Sequence, residues 1–348
     1  MTMISLPKKL LRPIVRPLRR TLKETGFHRL RDVAIYHDFE AAGLVSHFSE
    51  IMQQDRPLFV GRIGGSDYDL LPPYFNDREF FASDKRYGYG VGRVREFNGY
   101  FDVENRHENF IKFLDDFAAY YMSADCLTYC GSRLIGRFRR NRFRKAEANF
   151  LNTVCAGKEL ISYEFIEYLR PFLRSFLDWG AGKTILVVSP FAESVRIQYG
   201  RRGQLMRDYR FPDFQLATYN SKVTYSTQDD TSMTLHVGTK NWHEECAEMA
   251  SAIAEIDFDV AFLSCASYSM YLGNFIKNRM GKKALYLGGT LSPMFNIYAP
   301  RYDFDYFNDL MNLDFQIDAV ENAHVEHLAA GRSTQSEALN AYFGRRPR

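Results

Sequence analysis

Four apolar runs in this sequence end in turns of small residues that carry a polar or charged group: FVGRIGGSD (59–67), CLTYCGS (126–132), VVSPFAES (187–194) and VAFLSCAS (260–267). The first turn offers a cation in Arg62 and a general base or metal ligand in Asp67, with Gly64, Gly65 and Ser66 between them, where the backbone can approach a ligand closely. Arg62 suits orienting a phosphate or holding Asp67. Asp67 suits that chemistry or capping the helix that starts near Tyr68. In the third turn, Ser189 is followed by Glu193 and Ser194 at a helix start, whose free N–H groups and positive dipole end favour phosphate. Glu193 would repel a phosphate, so it fits a sugar hydroxyl, a metal or a base, or else only stabilises the first turn. The fourth turn, around Ser267, and a fifth at Gly288, Gly289 and Thr290 place hydroxyls and small residues where a diphosphate can be cradled. Neither has the Lys-Ser/Thr pair of a Walker loop or the spaced glycines of a dinucleotide fingerprint, so ATP and NAD are not indicated. A G-x-S-x-G elbow is missing from these turns and HExxH from the chain, which weakens hydrolase and zinc-protease readings.

The elements that must position these groups are legible from periodicity. Apolar positions at helical spacing over 39–52 precede a strand at 58–63. A short helix starts near Ser66 and is expected to stop at Pro72 and Pro73. Residues 104–122 read as a helix and 125–130 as a buried strand. Strands at 184–189, 214–219, 259–265 and 283–287 then alternate with helices from 192, at 242–255 and at 268–280. Such alternation predicts an α/β, Rossmann-like fold whose mostly parallel sheet is flanked by helices. Right-handed crossovers would gather the turns on one edge, so that Asp67 and Glu193 are expected to face a single cleft. Residues 87–92, with glycine at every second position, fit a flap over a ligand or an ordinary surface loop.

With 348 residues and 46% of them apolar, the chain can build one large α/β domain. The expected organisation is a basic amphipathic, helical leader over 1–35, the Rossmann-like domain over 36–330 and a loose tail over 331–348. The net charge is only +3, but positive charge is concentrated in two places. The leader's Lys8, Lys9, Arg12, Arg16, Arg19, Arg20, Lys23, Arg29 and Arg31 surround a stripe of Leu, Ile and Val interrupted by Pro13 and Pro17. Residues 8–31 fit an anionic membrane surface, or a flexible leader that packs on its own domain or has no role. The second cluster, between Arg133 and Lys145, mixes arginines with Phe138 and Phe143; it fits nucleic acid, membrane phosphates or a diphosphate-linked substrate, and equally a solvated helix face. His243 opens a helix as a base or as a surface residue. The five cysteines are odd in number and sit mostly in apolar runs, which suits a reducing cytoplasm and provides no zinc set.

The runs FVGRIGGSDYDLL, SPFAESVRIQY and NWHEECAEMASAIAEIDFDVAFLSCASYSMYLGNFIKNRMGKKALYLGGTLSPMF resemble the GT-D type of bacterial glycosyltransferase, found among polysaccharide-locus proteins. The resemblance covers roughly 58–301. It implies a Rossmann-like enzyme that moves a sugar from a nucleotide-diphosphate donor to a cell-surface glycan or lipid-linked acceptor; with the cysteine usage and the basic leader, the expected location is the cytoplasm, at the inner face of the membrane. The family's D-x-E motif, which handles metal and donor diphosphate, falls on Gly65, Ser66 and Asp67, so one carboxylate is missing and the other shortened. Mg²⁺ or Mn²⁺ would then rest on Asp67, with Glu193 or donor phosphates completing the shell. The competing expectations are a non-catalytic nucleotide-sugar or glycan sensor and, less favoured, a nucleic-acid-binding protein.

Overall fold

The computed structural model describes residues 27–78, 90–94, 98–102, 107–222, 241–322 and 345–346. Residues 8–26 of the leader, residues 87–89 of the glycine-rich loop and most of the expected tail lie outside them.

Eight strands form one all-parallel sheet: β1 (Ala34–Tyr36), β2 (Leu58–Ile63), β3 (Cys126–Tyr129), β4 (Glu159–Ser162), β5 (Thr184–Ser189), β6 (Gln215–Asn220), β7 (Val260–Leu263) and β8 (Lys283–Tyr286). Their order across the sheet is β1-β4-β3-β2-β8-β7-β5-β6. The central strands are almost entirely buried and mostly apolar, since helices cover both faces and leave no water-facing side. This is the α/β, Rossmann-like architecture. Residues 34 and 35, assigned to the leader from sequence, belong to the edge strand β1.

The helices are α1 (Ala42–Gln53), α2 (Gly65–Asn76), α3 (His107–Ser123), α4 (Ser132–Arg140), α5 (Lys145–Val154), α6 (Glu164–Glu167), α7 (Arg170–Trp179), α8 (Ala192–Tyr199), α9 (Trp242–Ala254), α10 (Tyr268–Asn278), α11 (Leu291–Met294) and α12 (Asp305–Leu310). Two apolar clusters, one on each face, sort them. Leu70 and Tyr74 of α2, Phe113 of α3, Phe138 of α4, Phe150 of α5, Trp242 of α9 and Ile276 of α10 fill the first. Phe48 of α1, Phe172 of α7, Val195 of α8 and Met294 of α11 fill the second. Crossovers toward the β1 edge run over the first face and crossovers toward the β6 edge over the second, as a constant right-handed sense requires.

Two local features set the position of the site. The prolines do not end α2: it continues through Pro72 and Pro73 to Asn76. The expected stop rested on a cost of about 3 kcal/mol per interior proline, and burial of Leu70, Leu71 and Tyr74 in the core offsets it. Helix α10 lies close to the sheet because Gly273 has no side chain; a Cβ there would fall 2.0 Å from Cε2 of Phe59 on β2.

Candidate functional site

At the carboxyl edge the chain leaves neighbouring central strands toward opposite faces. After β2 it enters α2 on the first face, after β8 it runs through Leu287 and Leu291 on the second, after β7 it enters α10 on the first, and after β5 it enters α8 on the second. Divergence of this kind opens the crevice in which open α/β sheets bind ligands.

Arg62 stands at the β2/β8 crevice. Its guanidinium lies 4.2 Å from the ring centre of Tyr286 and 5.0 Å from that of Tyr163, and its Nη2 donates to the Tyr286 hydroxyl at 2.9 Å. The Tyr163 hydroxyl donates to the Leu287 carbonyl, so its 2.9 Å contact with Thr290 Oγ1 uses the threonine's proton. Burial pushes the Tyr163 hydroxyl up to about 12, which keeps it a donor. Gly288, at φ +58, seals the arrangement: a Cβ would come within 2.2 Å of Arg62 Nη1 and 3.0 Å of the Tyr163 hydroxyl. Gly65 is exposed, and Ser66 and Gly289 are half-buried, so solvent reaches this edge from both flanking turns. The structure thus brings Arg62 together with the Gly288–Thr290 turn, and adds Tyr163 and Tyr286, whose place no local sequence pattern disclosed.

Asp67 is buried behind this cation. Its Oδ2 accepts from the Tyr121 hydroxyl at 2.8 Å and from the Gly64 N–H at 3.3 Å, and its Oδ1 accepts from the Asn98 amide. The bond to Gly64 is the helix-capping arrangement. Burial raises the carboxyl above its ordinary value, against the opposing influence of Tyr121, Arg62, Asn98 and Gly64. Ser66 donates to the Asn98 side chain, while the Asn98 carbonyl accepts the Ser267 N–H at 2.9 Å and Ser267 Oγ accepts Trp242 Nε1 at 2.8 Å. Asn98 therefore ties the turn after β2 to the turn after β7. It also turns Ser267 into a buried structural link.

Glu193 lies elsewhere. Between β2 and β5 stand β8 and β7, three strand spacings or about 14 Å in all, and α8 packs on the face opposite α2. The Glu193 carboxylate is half-exposed and pairs with Arg196 at 2.7 Å. The two acids do not face a single void, because Asp67 is turned inward onto Tyr121 and Asn98 while Glu193 is turned outward onto Arg196. The α8 N-terminus is filled from within. Oε1 of Glu321 accepts the N–H groups of Glu193 at 2.9 Å and Ser194 at 3.1 Å, and Oε2 accepts the Ser194 hydroxyl, which itself accepts the Val320 N–H at 2.9 Å. Ser189 is engaged locally, accepting the Phe191 N–H at 3.1 Å. The anion expected at this helix start is thus supplied by the chain itself, from 127 residues away.

The donor set for a divalent metal is poor. Asp67 is the one acid of the D-x-E-like turn, and three hydrogen-bond donors already surround its oxygens. Among the described residues no group of three or more His, Cys, Asp or Glu converges on a point. Among the described residues, those at this edge do not make up a Mg²⁺ or Mn²⁺ site by themselves. His243 sits 3.3 Å from Asp116 on α3, and the start of α9 is capped by Asn241 and Glu244 instead. In the basic cluster, Arg137 pairs with Glu147 and Arg139 with Glu164 at 2.9 Å.

No protein-family model, curated protein or solved structure matches this chain. Among the described residues, no helix is long and apolar enough to cross a membrane.

Proposed function

We propose that this chain is a glycosyltransferase that takes a sugar from a nucleotide-diphosphate donor and delivers it to a glycan or lipid-linked acceptor. The observation that carries the reading is Arg62, an arginine clamped between Tyr163 and Tyr286 at a divergent carboxyl-edge crevice. Glycosyl transfer needs fixed positive charge where the diphosphate departs, and a preorganised guanidinium supplies it with little reorganisation. The exposed Gly65 backbone gives a donor close access to the cation that the two buried tyrosines hold. In this reading Arg62 orients the diphosphate and the Gly288–Thr290 turn shapes its cradle. Asp67 is a positioning residue: it sets the start of α2 and provides the countercharge that keeps Arg62 in place. The basic apolar leader suits an enzyme working at the inner face of an anionic membrane.

A second reading, a non-catalytic nucleotide-sugar sensor, is favoured by one observation: the two carboxylates expected to share the cleft stand apart, and Asp67 is engaged from inside the protein. Purified full-length chain offered UDP-, GDP- and CMP-sugars, with and without Mn²⁺, separates the readings. Transfer or donor hydrolysis supports the enzyme. Binding without turnover across acceptors supports the sensor, and absence of binding to every donor removes both. The Arg62→Met variant should lose at least about tenfold in donor affinity, the equivalent of one charge-assisted contact, while keeping its melting temperature within a few degrees.

A further inference from the structure

The two basic segments that the sequence places more than a hundred residues apart form one surface. His28 and Phe143 exchange both backbone hydrogen bonds, at 2.9 and 3.0 Å, as an isolated antiparallel bridge. The Leu30 N–H donates to Asn141 Oδ1 at 2.9 Å and the Arg31 N–H to Asn152 Oδ1 at 3.0 Å. Alternation about the bridge sends Phe143 into the core and turns Arg142 and Arg144, with Phe27 and Arg29, the other way. Arg29, Arg31, Arg140, Arg142, Arg144 and Lys145 are all exposed, and none has a carboxylate partner among the described residues. Asp32 is the one exposed acid in the 27–32 and 139–146 stretches. Phe27 is 62% exposed, with the Arg142 guanidinium 4.3 Å from its ring centre.

We infer that this composite patch, residues 27–31 docked on 140–145, is the surface through which the protein meets an anionic lipid leaflet. Nucleic acid would satisfy the charge, but two features favour lipid. An exposed phenylalanine beside Arg142 suits insertion among acyl chains. The sequence that precedes Phe27 also sets Leu, Ile and Val among lysines and arginines, the mixed basic and apolar composition that suits a lipid surface rather than nucleic acid. The inference deepens the membrane association proposed above, and is independent of whether the crevice transfers sugar. It assigns to Arg140, Arg142, Arg144 and Lys145 a part in lipid binding that the leader alone would not require.

The test is sedimentation of the full chain with phosphatidylcholine vesicles, with and without phosphatidylglycerol, in the absence of sugar donor. Wild type should bind the anionic vesicles, and added salt should weaken the binding. The variant carrying Arg140→Gln, Arg142→Gln, Arg144→Gln and Lys145→Gln, which keeps the leader intact, should bind at least about 50-fold more weakly, since each basic residue contributes about fivefold near such a surface. A second variant, Phe27→Ser, should bind several-fold more weakly at unchanged net charge. Undiminished vesicle binding by a folded quadruple variant would overturn the inference, as would equal binding to neutral vesicles, no vesicle binding at all, or preference for single-stranded RNA over vesicles. Donor binding is measured on the same preparations: a protein that binds donor but ignores vesicles sinks this inference alone, and one that binds vesicles but no donor sinks the transferase alone.

Discussion

The turns after β2 and β5 start alike and end differently. Each closes a buried strand, opens a helix and carries an acid in the first turn. In α2 the acid is the third helical residue, from which a short side chain reaches back to the N–H before the helix; Asp67 does so and is drawn inward onto Tyr121 and Asn98. In α8 the acid is the second residue and projects to solvent, where Glu193 meets Arg196, while the third position is the buried Ser194. One residue of offset decides whether the acid belongs to the interior. The vacant cap of α8 is then taken by Glu321.

The strongest way to break this contrast is truncation of the inner acid. Asp67→Ala leaves the Tyr121 hydroxyl, the Asn98 amide and the Gly64 N–H without their acceptor in a closed space, and should cost about 3–5 kcal/mol in urea unfolding of the full chain. A cost below about 1 kcal/mol would mean that water reaches these donors and that the turn is open after all. Gly288→Ala should cost less, about 2 kcal/mol. Holding alanine in the left-handed conformation costs about 1–2 kcal/mol, and the new methyl would push the Arg62 guanidinium out of its place between the tyrosines. Donor affinity should fall at least about tenfold with it; unchanged affinity would detach Arg62 from the donor.

The same acid predicts a pH signature with a definite sign. Burial holds the Asp67 carboxyl above the ordinary carboxylate range, so within the window between its unfolded and folded pKa values the native state binds more protons than the unfolded state. Stability from this group is therefore highest at low pH, declines as pH rises through that window and is level above it. Subtracting the unfolding profile of Asp67→Asn from that of wild type isolates the decline. A difference that rises with pH would show instead that the hydrogen bonds outweigh desolvation.

Much of the fold is legible in the sequence, because a parallel sheet covered on both faces writes its inner strands as apolar runs such as ILVVS and VAFL. Two strands, β1 and β4, escaped the sequence reading. Three-residue β1 lies at the edge and four-residue β4 opens with Glu159, so neither shows a run long enough to separate from a loop. Of the candidate site, Arg62 and the Gly288 turn were visible as residue types at strand ends. Their joining partners were not: Asn98, Tyr121, Tyr163 and Glu321 reach the turns from 31 to 127 residues away, and nothing local marks a side chain for a distant contact. The supposed meeting of Asp67 and Glu193 failed for a related reason. Strand order and the face taken by each crossover are decided by packing of whole helices, and a turn motif has the same letters on either face.

The smallest expected effects come from α8, and there the contrast can be sharpened within a single turn. Glu321→Ala should cost about 1–2 kcal/mol, because it exposes the N–H groups of Glu193 and Ser194 and the Ser194 hydroxyl at a helix start, the usual loss when a cap is removed. Glu193→Ala should stay within about 0.5 kcal/mol of wild type, since an ion pair between half-exposed side chains gains little over its solvated partners. Both acids sit beside the same helix end, so the dipole acts on both, and only the hydrogen bonds of Glu321 separate them. Equal costs in matched urea titrations would attribute the stabilisation to the helix dipole alone. In that case the inward-facing geometry could not explain the contrast between α2 and α8 either, since it too rests on hydrogen bonds that an offset of one residue permits or denies.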